Sequence, residues 1–132
     1  LLADLTAWFP VGAPFHAVQP ERFLDTRGGT KPGADATVEL KVTGAGSTQV
    51  PASAGAVIVN VTATEASGDG FVTVWPCGQP RPNASNLNLK AGGTAPNLVA
   101  VKVGTGGKIC LYTQAGTHLI ADLTGWFPSP NA

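Results

Sequence analysis

The sequence predicts an all-β fold, an antiparallel two-sheet β-sandwich. Three observations carry this. Apolar and polar residues alternate with period two along several short runs, as they do in strands with one buried face. Clusters of Gly, Pro, Asn and Ser separate the runs at short intervals. No segment carries a helical period. A closed barrel and a trefoil-like fold are the alternatives. Two repeat units with only part of a third favour the sandwich over the trefoil.

The elements follow in order. Residues 1–9 place Leu1, Ala3, Leu5, Ala7 and Phe9 on one face, and Leu2, Asp4, Thr6 and Trp8 on the other. The runs 38–42, 57–64, 71–75 and 99–103 alternate as strands. Gly68-Asp69-Gly70 reads as a hairpin turn joining 57–64 to 71–75. Residues 118–127 repeat the first split, with His118, Ile120, Asp122, Thr124 and Trp126 together.

An internal repeat organises the chain. Residues 1–10, 57–66 and 119–128 resemble one another, and the first and third are nearly identical. Leu24-Asp25-Thr26-Arg27 matches Leu87-Asn88-Leu89-Lys90, and each is followed by a Gly-Gly-Thr run. Residues 38–42 match 99–103. The chain, 1–132, therefore reads as one β domain of two units of about 60 residues, near 1–56 and 57–117, with a closing strand at 118–128. Residues 1–10 are an extra strand, either the tail of a preceding repeat or a pseudo-symmetric part of one closed domain. An extra copy of a native strand can also pair with an open edge of a neighbouring chain.

Composition narrows the class. Of 132 residues, 43 % are hydrophobic and only 12 % charged, so Thr, Ser, Asn, Gly and Ala must cover the surface. The formal net charge is zero and no two basic residues are adjacent. Nothing here would capture nucleic acid or an anionic membrane electrostatically, and no stretch approaches a membrane span. The chain contains no Met and no leader-like segment, so it reads as a processed or excised piece of a longer protein. Cys77 and Cys110 are the two cysteines. In a strand-rich, low-charge domain they predict a disulfide and an oxidising compartment, against two buried free thiols.

Several motifs are long. They are Pro20-Glu21-Arg22-Phe23-Leu24-Asp25-Thr26-Arg27, Val59-Asn60-Val61-Thr62-Ala63-Thr64 and Gly70-Phe71-Val72-Thr73-Val74-Trp75-Pro76-Cys77-Gly78. Ala84-Ser85-Asn86-Leu87-Asn88, Gly107-Lys108-Ile109-Cys110 and Ala121-Asp122-Leu123-Thr124-Gly125-Trp126-Phe127 complete the set. Over nearly its whole length the chain resembles a repeat family of secreted, often multi-domain proteins of actinobacteria. The resemblance implies secretion or a cell-surface location, the disulfide, and use as an accessory module beside hydrolases or in tandem arrays. It implies no ligand and no catalytic residue set.

The residues point away from catalysis. Glycoside hydrolysis needs two carboxylates across a cleft, whereas the eight acids are scattered and Asp4 and Asp122 are equivalent repeat positions. Ser85, His118 and Asp122 make a triad only on paper, without a nucleophile-elbow sequence. His16 and His118 have no zinc-type spacing, and Gly68-Asp69-Gly70 is too sparse for calcium. No catalytic residue, metal or cofactor is therefore expected. The Asp25/Arg27 pair predicts an Arg–Asp network pinning a loop to the sheet, with Asp4 or Asp122 as a further partner; a polar cradle for a sugar or an anionic group is the alternative.

The strongest functional lead is the stripe of Asp4, Thr6 and Trp8, repeated as Asp122, Thr124 and Trp126. An indole offers a flat apolar surface to a pyranose, and a carboxylate accepts from its hydroxyls. The competing reading has both tryptophans capping the core. Trp75 is expected beside the disulfide. The sequence thus predicts a non-catalytic extracellular module binding polysaccharide or a cell-wall polymer. The alternative is a structural or adhesive repeat that assembles into stalks or filaments by module contacts or by strand exchange through 1–10. Two glycosylation sequons, at Asn60 and Asn83, read as coincidental in a chain of bacterial character.

Overall fold

The computed structural model describes residues 14–44 and 50–129. The predicted strand at 1–10, with Asp4, Thr6 and Trp8, lies outside the described residues. Eight strands form: β1 (His16–Asp25), β2 (Ala36–Lys41), β3 (Ala54–Thr64), β4 (Gly70–Pro76), β5 (Leu87–Leu89), β6 (Thr94–Lys102), β7 (Lys108–Thr113) and β8 (His118–Pro128). Two short 3₁₀ turns, Thr26–Gly28 and Thr105–Gly107, are the other regular elements, and there is no α-helix among the described residues. None there is long and apolar enough to cross a membrane.

The strands make two antiparallel four-stranded sheets. The first, sheet A, has the order β1-β8-β3-β6, and the second, sheet B, has β2-β7-β4-β5. The fold is thus a β-sandwich, and neither a closed barrel nor a trefoil. Alternation builds the core. In sheet A, Val57, Val59, Val61, Val99, Val101, Leu119, Ala121 and Leu123 face inward; Leu40, Val72, Val74, Leu87, Ile109 and Leu111 meet them from sheet B.

Advancing each strand number by four converts β1-β8-β3-β6 into β5-β4-β7-β2, which is the second sheet read backwards. The two halves of the chain therefore repeat with the sheets exchanged. The matched runs 38–42 and 99–103 fall on the equivalent edge strands β2 and β6, and Leu24 and Leu87 on β1 and β5. Residues 57–66 and 119–128 are not equivalents in this scheme. They fall largely on β3 and β8, neighbours at the centre of sheet A.

The turn at 68–70 also differs from expectation. β3 and β4 lie in different sheets, so this connection crosses the sandwich and is not a hairpin. Glu65 begins the crossing at φ 57°, a left-handed conformation unusual for a non-glycine residue.

A second, smaller apolar cluster covers the outer face of sheet B. It contains Trp75, Tyr112, Cys77 and Cys110, with Phe71 packed against it. Cys77 and Cys110 are disulfide-bonded, with Cα atoms 5.1 Å apart. Trp75 stands opposite Cys110 across β4 and β7, beside the disulfide as expected. Residues 77–86 fold back over this face. The Trp75 indole N–H donates to the Gln79 carbonyl (2.9 Å), Thr73 Oγ1 donates to the Ala84 carbonyl (2.6 Å), and the Val74 N–H donates to Asn86 Oδ1 (2.7 Å). The Arg81 guanidinium lies 3.6 Å from the centroid of the Tyr112 ring. Gly104 lets the 103–107 turn press on the Cys77 backbone, where a Cβ would collide.

The disulfide closes a loop with a sequence separation of 33. Replacing both cysteines with Ala is expected to lower unfolding stability by about 3–4 kcal/mol, from loop-closure entropy. Urea denaturation of the variant beside the oxidised protein measures it. An unchanged midpoint would show that the bridge constrains nothing the strands do not already hold.

Candidate functional site

Sheet B is covered on its outer side, whereas no described residues fold over the outer side of sheet A. On that side four residues stand in one row across all four strands. Arg22 of β1 pairs with Asp122 of β8, Asp122 with Asn60 of β3, and Asn60 with Leu98 of β6. With Pro20 and Thr124 they line a broad, shallow depression of about 570 Å³. Leu98 is 60 % exposed at one end.

The row is ordered by charge pairing. Arg22 Nε donates to Asp122 Oδ1 at 2.9 Å and Nη2 to Oδ2 at 3.3 Å, a two-pronged contact. Asp25 caps the 3₁₀ turn that follows β1, accepting from the Arg27 backbone N–H at 3.0 Å. It also accepts from Arg27 Nε at 3.0 Å and Nη2 at 2.8 Å, while Arg22 Nη1 lies 3.6 Å away. Two arginines and two aspartates thus form a neutral network across β1, β8 and the turn. The hydrogen bond and charge of Asp122 raise the Arg22 pKa further. The Arg27 side chain and then its backbone N–H hold the Asp25 carboxyl far below the usual carboxylate range.

The Asp25/Arg27 pairing therefore forms, with Asp122 as its link to the sheet through Arg22. Arg27 is not in an extended strand, and the 3₁₀ turn brings its side chain back onto Asp25.

Asp122 and Thr124 share the outer face, but Trp126 does not join them. The register of β8 against β3 slips between Gly125↔Ile58 and Leu123↔Val59, leaving Thr124 as the extra residue of a β-bulge. Beyond it the alternation is reversed. Trp126 stands opposite Val57, which is fully buried, and packs against the main core. Its exposed side is covered by the His16 imidazole, stacked at 4.1 Å with an interplanar angle of 9°. The predicted aromatic–carboxylate stripe is therefore split in its second copy, and its first copy lies outside the described residues. Thr124 Oγ1 donates to the Ile58 carbonyl at 3.2 Å, which ties down the bulge.

Asn60 is the residue the sequence reading passed over. It occupies in 57–66 the position that Asp122 occupies in 119–128, and the fold sets the two side by side. Its carboxamide has no hydrogen-bond partner among the described residues. Arg22, Pro20 and Leu98 come from strands whose order across the sheet no local pattern reveals.

The paper triad is dispersed. Ser85 Oγ donates to the Leu87 carbonyl at 3.2 Å beside sheet B, His118 Nδ1 lies 2.9 Å from Thr26 Oγ1, and Asp122 holds Arg22. Among the described residues no group of three His, Cys, Asp or Glu side chains could hold a metal ion. No protein-family model and no curated protein matches the chain.

Two outcomes follow from this geometry. Trp126→Ala should destabilise the fold by about 2–3 kcal/mol, because the indole fills the core end of sheet A; thermal and urea melts check this, and a stability within experimental error of wild type would return Trp126 to the surface. The lowered Asp25 pKa contributes stability that is complete above the ordinary carboxylate pKa of about 4 and is lost as the pH falls toward the folded value. Arg27→Gln should flatten that loss between about pH 4 and pH 2, measured as urea midpoint against pH. An identical acid limb would remove the pair from the stability balance.

Proposed function

We propose that this chain is a non-catalytic extracellular module that binds a neutral polysaccharide or cell-wall polymer on the outer face of sheet A. The row Arg22–Asp122–Asn60–Leu98 carries the reading. It sets an ion pair, an unpartnered carboxamide and an exposed aliphatic side chain in line across a shallow depression, which suits an extended chain of hydroxyls and C–H surfaces. Asp122 and Thr124 remain ligand-binding residues in this scheme; the apolar contact passes from Trp126 to Leu98 and Pro20. The network is neutral and so is the chain, so nothing steers an anionic partner. Secretion is supported by the disulfide and by the resemblance to actinobacterial accessory modules.

A second reading, a structural repeat joined to its neighbours, is supported by the near-identity of 1–10 and 119–128.

Retention on insoluble glucan, chitin and peptidoglycan tests the first reading. The wild-type chain should be held by at least one polymer, and Asn60→Ala combined with Leu98→Ala should weaken retention at least tenfold, the loss of about one hydrogen bond and one apolar contact. The melting temperature of the variant serves as the folding control. No retention of the wild type on any polymer, or equal retention of a folded variant, would sink this assignment.

A further inference from the structure

The cover of sheet B carries polar chemistry of its own. Tyr112 of β7 faces outward there and meets two opposite charges. The Arg81 guanidinium lies 3.6 Å from its ring centroid. The phenol hydroxyl donates to Asp35 Oδ1 at 2.5 Å. Arg81 and Asp35 are both exposed, whereas the ring they share is buried. The hydrogen bond to Asp35 raises the Tyr112 pKa, so the phenol stays protonated and keeps donating.

Both charges are held in place. Arg81 stands between Pro80 and Pro82. Each proline fixes its own φ, and the second confines Arg81 to extended backbone. On either side the 77–86 segment is tied to sheet B, through the Gln79 carbonyl and the Ala84 carbonyl. Asp35 sits at φ 61°, in the left-handed region that suits glycine best and Asn and Asp next. Its N–H donates to the Gln114 carbonyl at 3.3 Å, and the Ala36 N–H donates to the Gly33 carbonyl at 3.2 Å. A tight turn thus presents a carboxylate where glycine would fit with less strain. Strain of this kind gathers at ligand sites.

The shared ring does not bring the two charges together. Arg22, Arg27 and Lys108 each pair with a carboxylate. Among the described residues no ion pair joins Arg81 to Asp35 or to any other acid. Asp35 Oδ2 meets no donor there either. The contacts through the ring place the guanidinium carbon and Asp35 Oδ1 less than about 9 Å apart. A fixed cation and a fixed anion that do not pair suit a ligand carrying both charges. A lone anion would gain from Arg81 and lose to Asp35, and a lone cation the reverse. An α-amino acid holds its ammonium and carboxylate on one carbon, and hydrogen bonds of about 2.8 Å at each end let it span such a gap. The guanidinium, stacked on the ring, offers a planar fork to the carboxylate.

We propose that Arg81, Tyr112 and Asp35 form a binding site for a zwitterionic amino-acid head group, with Arg81 on its carboxylate and Asp35 on its ammonium. Thr37 is exposed opposite Tyr112 across β2 and β7, so its hydroxyl borders the site. Little has to be ordered on binding, because the backbone at both charges is already fixed. The site lies on sheet B and does not rest on polymer binding, which uses sheet A.

The test is a titration of the full isotope-labelled chain with glycine, followed by the NMR signals of the Arg81 side chain and of the amides at 35, 81 and 112. Saturable shifts are expected, with a dissociation constant on the order of 1–10 mM, as two exposed charge contacts allow. Acetate and methylammonium, each half of glycine, should bind at least tenfold more weakly, and glucose should leave these signals in place. Asp35→Asn keeps an acceptor for the phenol and tolerates the left-handed backbone. It should weaken glycine at least tenfold while leaving acetate as tight as before or tighter. Arg81→Gln should weaken glycine equally and spare methylammonium. Melting temperatures serve as folding controls. γ-Glutamylglycine carries the same head at the end of a chain; its binding extends the site to heads borne on polymers, its failure beside glycine binding assigns the site to free amino acids, and either supports the class. No saturable shift with glycine overturns the proposal. So do glycine binding no tighter than acetate, glucose shifting the same signals, or unchanged glycine binding in either folded variant.

Discussion

The extra residue at Thr124 governs how β8 divides its side chains between core and solvent. Before it, Leu119, Ala121 and Leu123 point into the sandwich and Asp122 points out. After it, the order is reversed, so Trp126 returns to the core and Gly125 faces outward. A strand without the bulge would carry an exposed indole beside Asp122. With it, that indole fills the end of the core, and the bare surface at Gly125 is where Phe15 settles. Both the outer face of sheet A and the seat of Phe15 depend on this one slip in register.

The two sheets repeat each other in topology but not in finish. On sheet B the outer face is closed by the disulfide, Trp75, Tyr112 and the folded-back 77–86 segment. On sheet A, among the described residues, side chains of the sheet and its first turn order it. Those side chains are charged and mutually compensated, so they can lie in water at little cost while fixing one another's orientation. A pseudo-symmetric sandwich thus offers one sealed face and one presented face.

The antiparallel order also fixes where the first and last strands begin and end. β1 and β8 are neighbours, so the chain arrives and departs side by side. In this sandwich β1 starts and β8 ends at one pole, where the rings of Phe15 and Phe127 lie 5.2 Å apart.

Much of this was legible in the residues alone. Period-two alternation at 38–42, 57–64, 71–75, 99–103 and 118–127 located the strands that run over 36–41, 54–64, 70–76, 94–102 and 118–128, because a strand with one buried face must alternate whatever its partner. The lone cysteine pair gave the disulfide, and the Asp25/Arg27 spacing gave the ion pair. Three things needed the tertiary structure. β1 and β7 are irregular or mixed in composition, and Pro20 hides the first among loop signals. Sheet membership separates β3 from β4, since a Gly-Asp-Gly turn serves a sandwich crossing as well as a hairpin. The side of Trp126 depends on a bulge, and a bulge is a mismatch between two strands distant in sequence. Periodicity is a property of one strand and can be read from it, but register and facing belong to pairs of strands, and only folding brings those pairs together.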